Sequence, residues 1–136
     1  MVNYEFDRYK AFTQRPLAAI FEKEGYEATG RVEVMLAKGK LNPKQPYFFI
    51  HEYKPEKNRD NDPLGQVLIA MVVARQYNAQ KFPVYGCYVN GRNWFFIVLH
   101  DNTYSVSRAY DATDIIDLTQ ILACLIDIKR IIEPFL

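Results

Sequence analysis

Cysteine, net charge and long apolar runs are all scarce in this chain, and each scarcity removes a class of protein. Only two cysteines occur among 136 residues. Cys87 lies inside the strand-like VYGCYV and Cys124 inside the helix-like ILACLI, so both read as small buried hydrophobes, neither metal ligands nor a staple. The formal net charge of +1 is far from the basic excess of a dedicated nucleic-acid binder. No stretch approaches the roughly 18 uninterrupted apolar residues of a membrane span, and the charges in MVNYEFDRYK argue against a signal peptide. The expectation is a soluble, cytoplasmic protein without a membrane partner. Two motifs are missing as well. DPLGQ has one glycine and no following lysine or serine, so it cannot cradle phosphate, and HEYK lacks the second histidine of the HExxH zinc pattern.

Apolar and aromatic side chains are abundant. A hydrophobic content of 49% with 15% aromatics is ample for one core, and the length is that of one domain, residues 1–136. The aromatics fall at strand positions, where they are preferred on packing grounds. Charge is distributed unevenly. Lys38, Lys40, Lys44, Lys54, Lys57 and Arg59 outnumber Glu52 and Glu56 between positions 38 and 59, whereas acids dominate from Asp101 to Asp127.

The pattern of residues predicts an order of elements. Two helical pieces open the chain, one around Tyr4 to Phe12 and one begun by Pro16 and closed by Gly25 after LAAIFEKE. In GRVEVML, Val32, Val34 and Leu36 alternate with Arg31, Glu33 and Met35, a strand period. KGKLNPKQP is loop by composition, YFFIHEYK is a second strand, and PEKNRDND leads to a helix capped by Asp62 with Pro63 at its first position. That helix, PLGQVLIAMVVARQYNAQ, is apolar around most of its circumference and so is packed on more than one side. Hairpins follow: PVYGCYV, an Asn90-Gly91 turn, WFFIVLHD and TYSVSRAY. A last helix from about Asp114 to Glu133 spaces Ile115, Leu118, Leu122 and Leu125 to cover a sheet. The fold class is α/β, bordering on α+β: a three-layer arrangement with a mixed sheet flanked by helices.

The chemistry gathers around FFIHEYKPEK. Strand alternation places Glu52 and Lys54 on one face and His51 and Tyr53 on the other. A weak surface ion pair is the plain reading of Glu52 and Lys54. Glu33 gives them company, because it lies off the apolar face of its own strand and comes beside Glu52 if the two strands pair. Two carboxylates supply hard oxygen ligands for Mg²⁺, and a lysine orients and helps deprotonate an attacking water. Gln66, on the first turn of the following helix, sits at the same edge.

An acid, then Glu-x-Lys on the next strand, then Gln early in a buried helix resembles the PD-(D/E)XK, restriction-endonuclease-like nuclease superfamily. The resemblance runs from about Gly30 to the last helix, through GRVEVML, PYFFIHEYKPEK, DPLGQVLIAM and YGCYVNGRNWFF. It implies a restriction-endonuclease-like core, in which three strands normally precede the buried helix. It assigns Glu33 and Glu52 as the metal-binding acids, Glu33 standing where Asp is usual. Lys54 becomes the catalytic lysine, Gln66 the accessory residue, and the backbone carbonyl of Tyr53 a further metal ligand. Glu22 or Glu24 would be a helix-borne acid that some members add. The implied activity is Mg²⁺- or Mn²⁺-dependent hydrolysis of DNA phosphodiester bonds. The alternative is a catalytically degenerate domain of the same fold that binds nucleic acid or a protein partner, and a third reading is an assembly domain whose aromatic hairpins form a homodimer interface.

Overall fold

The computed structural model describes the backbone of residues 9–21, 25–38, 44–54, 63–78, 83–132 and 134, and the side chains of 25, 64–76, 78, 83–132 and 134. Within them the order is β1 (Tyr9–Phe21), β2 (Tyr26–Lys38), β3 (Lys44–Lys54), α1 (Pro63–Tyr77), β4 (Val84–Asn90), β5 (Asn93–His100), β6 (Thr103–Val106), β7 (Tyr110–Asp111) and α2 (Ile115–Ile132). The strands form one mixed sheet in the order β1-β2-β3-β4-β5-β6, with β7 also paired to β5. Only β3 and β4 run parallel among these pairs. Parallel neighbours need a crossover, and α1 supplies it.

Two clusters of buried residues fix the layers. On one face, Val67, Ala70, Met71, Val73 and Ala74 of α1 pack on Val84, Tyr88, Ile97 and Leu99. On the other, Ile128 and Ile132 of α2 pack with Cys87 and Val89, and Leu125, Trp94 and Phe96 adjoin them. Alternation along β4 sends Val84 and Tyr88 to α1 and Cys87 and Val89 to α2. The strand is covered on both sides, and the expected arrangement of helices flanking a mixed sheet is present around it. Cross-strand stacking of Tyr88 on Phe95, with ring centroids 4.5 Å apart, adds to the α1 side.

The opening segment differs most from the sequence expectation. In place of helices around Tyr4 to Phe12 and from Pro16 to Gly25, residues 9–21 form a strand, β1; residues 4–8 and 22–24, with Glu22 and Glu24, lie outside the described set. β1 pairs antiparallel with β2 from Tyr9↔Lys38 to Phe21↔Tyr26. Gly25, with φ of 71°, occupies the left-handed region that glycine enters without strain. The pairing runs along the segment except at Gln14 and overrides its helical propensity. Pro16 is compatible because β1 is the outermost strand, where a missing N–H costs no ladder bond. Among the described residues three strands therefore precede α1, whereas the alternation pattern alone picked out two.

Smaller differences have local causes. β3 extends back to Lys44 into the expected loop, by way of register shifts between Leu36 and Lys38. Asn90 pairs with Asn93, so the turn is centred on Gly91-Arg92, not Asn90-Gly91. Gly91 alone has a positive φ there, 60°, the pattern of a type II′ turn with glycine first. TYSVSRAY is two short strands, because Ser107 interrupts it: its Oγ accepts the Phe96 N–H at 2.9 Å, and its own N–H bonds Phe96 O at 2.8 Å. α2 turns a different face to the sheet than its spacing suggested, burying Ile121, Ile128 and Ile132 and leaving Ile115 74% and Leu122 43% exposed. Asp114 sets that rotation from outside the helix. Its Oδ1 accepts the N–H groups of Ile116 and Asp117, an N-cap of the kind worth about 1 kcal/mol.

Gly86 lies where α1 crosses β4, and a Cβ there would stand 2.5 Å from Met71 Sδ. Met71 is fully buried, so its side chain would have to shift within the core to make room. Gly86→Ala is therefore expected to destabilise the fold by about 1–3 kcal/mol, the usual cost of overpacking, read as a lowered urea midpoint. Gly86→Ala/Met71→Ala should recover part of that loss relative to Met71→Ala alone.

Candidate functional site

β2 and β3 are antiparallel neighbours with Val34 opposite His51 and Met35 opposite Ile50. Glu33 and Glu52 are the next residues on the two strands, just beyond the last paired position. In the parallel ladder, Ile50 pairs with Gly86, Glu52 with Tyr88 and Lys54 with Asn90. Paired positions share a face, and Gly86 and Tyr88 belong to the α1 side. Positions 33, 52 and 54 thus occupy the α1 face, near the carboxyl ends of the two parallel strands. His51 pairs with Cys87 and falls on the opposite face, as does Tyr53, which pairs with Val89. The side chains of Glu33, Glu52, Lys54, His51 and Tyr53 lie outside the described residues, as do Asp62, Glu22 and Glu24.

Gln66 is the fourth residue of α1, in its first turn, and is half-buried. α1 starts at Pro63 and crosses the β3 and β4 strands. α1 packs on the side of the sheet that carries positions 33, 52 and 54. Two carboxylates, if brought together, would suit a small hard cation such as Mg²⁺, which takes one or two carboxylates and otherwise retains water. Among the described residues, no group of three His, Cys, Asp or Glu converges, a set that excludes Glu33 and Glu52.

The described acids around β7 are committed to structure. Asp117 accepts from Arg108 Nη2 at 2.9 Å and from the Asp111 N–H at 2.9 Å. Asp111 accepts from the Thr113 N–H and hydroxyl and lies 3.5 Å from Arg92 Nε. Arg108 also stacks over the Tyr110 ring, 4.1 Å from its centroid. The Asp114-x-x-Asp117 spacing at the helix start was the sequence signal for this capping network. The thiols are chemically quiet. Burial pushes Cys87 far above its ordinary pKa, and burial, then the charge of Asp127, raises Cys124, so neither is a ready nucleophile.

On the α2 face an apolar groove of about 380 Å³ opens between the helix and β5–β6, lined in part by Tyr85, Phe96, Val98, Cys124 and Ile131. No charge-bearing constellation faces it except Asp127 at its side, which pairs with Arg130 at 3.6 Å. It is separate from the carboxylate positions on the α1 face.

The hydrogen bond from Arg108, then that from the Asp111 amide, hold the Asp117 carboxyl below the usual carboxylate range. A carboxyl lowered in the folded state stabilises fully above its unfolded pKa of about 3.9, and that contribution disappears as pH falls through the folded value. Asp117→Asn should accordingly have a lower urea midpoint than the unaltered chain at pH 7. The gap should begin to close below about pH 4 in a series of denaturation curves.

Comparison of the chain with protein-family models, with curated proteins and with solved structures finds no match.

Proposed function

We propose that this chain is a Mg²⁺- or Mn²⁺-dependent nuclease with a restriction-endonuclease-like core, hydrolysing DNA phosphodiester bonds at the ends of β2 and β3. One observation supports the reading: β2 and β3 are antiparallel neighbours whose last pair, Val34 and His51, stands one residue short of Glu33 and Glu52, and positions 52 and 54 share the face that receives α1. Three strands ahead of the crossover helix add support, since this is the number the resemblance implies.

In this reading the carboxylates of Glu33 and Glu52, with the Tyr53 carbonyl, hold the metal. When bound, the cation supplies Lewis-acid charge against the scissile phosphate. Lys54 would orient a water for in-line attack on phosphorus, its positive charge lowering the cost of losing the water's proton, which passes to bulk solvent. The new P–O bond forms as the P–O bond to the leaving sugar oxygen breaks, and that oxygen takes a proton from solvent. Lys54 also offsets negative charge on the phosphoryl oxygens, and Gln66 donates a hydrogen bond from its amide to the water or a phosphate oxygen. The basic residues between Lys38 and Arg59 supply non-specific attraction for the DNA backbone.

The test separates binding from chemistry. Purified protein should cleave single- or double-stranded DNA only with Mg²⁺ or Mn²⁺. Glu52→Ala should lose both calorimetric Mn²⁺ binding and cleavage, and Lys54→Ala should retain Mn²⁺ binding while losing cleavage, both variants keeping the circular dichroism of the folded chain. An unaltered protein that neither cleaves DNA across a range of pH nor binds Mn²⁺ overturns the proposal in favour of a degenerate binding domain.

A further inference from the structure

We propose that Asn90, Arg92 and Asn93, at the turn joining β4 to β5, form a phosphate-binding row that holds the DNA backbone beside the scissile bond. The inference rests on the nuclease reading for its ligand and extends that site from β3 across to β7. The register carries it. Position 54 pairs with Asn90, Asn90 with Asn93 and Asn93 with Asp111. Paired positions share a face, and Tyr88, two residues before Asn90 on the same strand, packs against α1. The row of 54, 90, 93 and 111 therefore lies on the α1 face, at the end of the sheet that carries Lys54.

Unused hydrogen-bonding capacity marks this row. Arg92 is 60% exposed and meets Asp111 Oδ2 through Nε at 3.5 Å, but among the described residues its guanidinium makes no hydrogen bond. Asp111 Oδ1 is taken by the Thr113 N–H and hydroxyl, so this carboxylate steers the arginine by charge and leaves its two terminal nitrogens open. An arginine held in this way presents a planar fork that matches two phosphate oxygens. The side-chain amides of Asn90, which is exposed, and of Asn93 likewise make no hydrogen bond among the described residues. The turn is fastened in place, because Arg92 O accepts the Ala112 N–H of the segment after β7 at 2.9 Å.

Spacing and charge suit a nucleic-acid backbone. Three strand steps of about 4.8 Å separate β3 from β7, about 14 Å in all. One DNA strand advances about 3.4 Å per phosphate along its axis, so the row has the reach of about four successive phosphates. Donors of this kind fix the register of a duplex without reading its bases. Arg108, the other arginine near this end, belongs to the opposite face: it stacks on Tyr110, whose partner Trp94 adjoins the α2 cluster, and it is bonded to Asp117. Arg92 is the one of the two that presents an open fork beside the carboxylate positions.

Fluorescence anisotropy with a short labelled DNA duplex, in metal-free buffer over a series of salt concentrations, tests the row. Arg92→Ala should raise the dissociation constant about tenfold, the loss of one charge-assisted hydrogen bond. It should also flatten the slope of log K against log salt by about 0.9, the signature of one phosphate contact. Arg92→Lys should keep the slope yet bind more weakly than the unaltered chain, because lysine lacks the fork. Asn90→Ala should weaken binding with the slope unchanged. Arg130→Ala, which removes an exposed charge from the last turn of α2, should alter neither quantity. A constant and slope that Arg92→Ala does not move overturn the proposal. So does a chain that binds no duplex, or an Arg130→Ala effect equal to that of Arg92→Ala. These readouts need neither metal nor cleavage, which separates the two readings. A chain that binds DNA through Arg92 without holding Mn²⁺ or cleaving keeps the row and loses the nuclease, and one that cleaves with metal but is indifferent to Arg92 does the reverse.

Discussion

Burial of β4 on both faces is the constraint on which the other elements depend. A strand with water on one side can alternate apolar and polar residues, but VYGCYVN supplies apolar residues to α1 and α2 alike. One helix must therefore pass on each side. α1 is set close by Gly86, whose missing side chain admits Met71, and α2 is set by the apolar strip that includes Ile128. Removing either helix would expose half of this strand, so the layers hold together as a unit.

The same constraint positions the candidate chemistry. A doubly buried strand paired in parallel to β3 requires a crossover, and the crossover leaves the sheet just after the Glu-x-Lys sequence and returns to it at β4. Parallel strand ends are where open α/β sheets gather their ligands, and here one such end carries Glu52 and Lys54, with Glu33 on the neighbouring strand just beyond the last β2–β3 pair. Asp111, Asp114 and Asp117 are engaged by backbone amides and by Arg92 or Arg108, which leaves them poor metal ligands. Glu33 and Glu52 stand on neighbouring strands, one residue past the last paired position of each.

α2 shows how a cap can decide which residues a helix hides. Asp114 fixes the first turn, and Asp117 ties that turn to β7 through Arg108 and the Asp111 amide. With the amino end held there, Ile121, Ile128 and Ile132 rotate onto the sheet while Ile115 and Leu122 face outward. The exposed aliphatic flank follows from this anchoring, since a helix apolar over more than one strip cannot turn every strip to the same sheet.

The sequence by itself determined the elements whose signals are local: the Pro63 helix start with Gln66 in its first turn, the β4–β5 hairpin with its glycine, the final helix near Asp114, and the alternation that put Glu52 and Lys54 on one face. These depend on backbone stereochemistry and side-chain period over a few residues, which a short stretch encodes completely. What only the tertiary structure decided required distant partners. Residues 9–21 became a strand because β2 offered them a long antiparallel ladder. Ser107 split the last hairpin because Phe96 was there to bond it. Glu33 came onto the strand next to that of Glu52 through the pairing of residues 34–36 with 49–51. The face that α2 buries was chosen by its anchor on β7. Each of these is a competition between a local preference and a contact formed across the fold, and the contact prevails because it satisfies backbone groups or buries apolar surface that no neighbouring residue can cover.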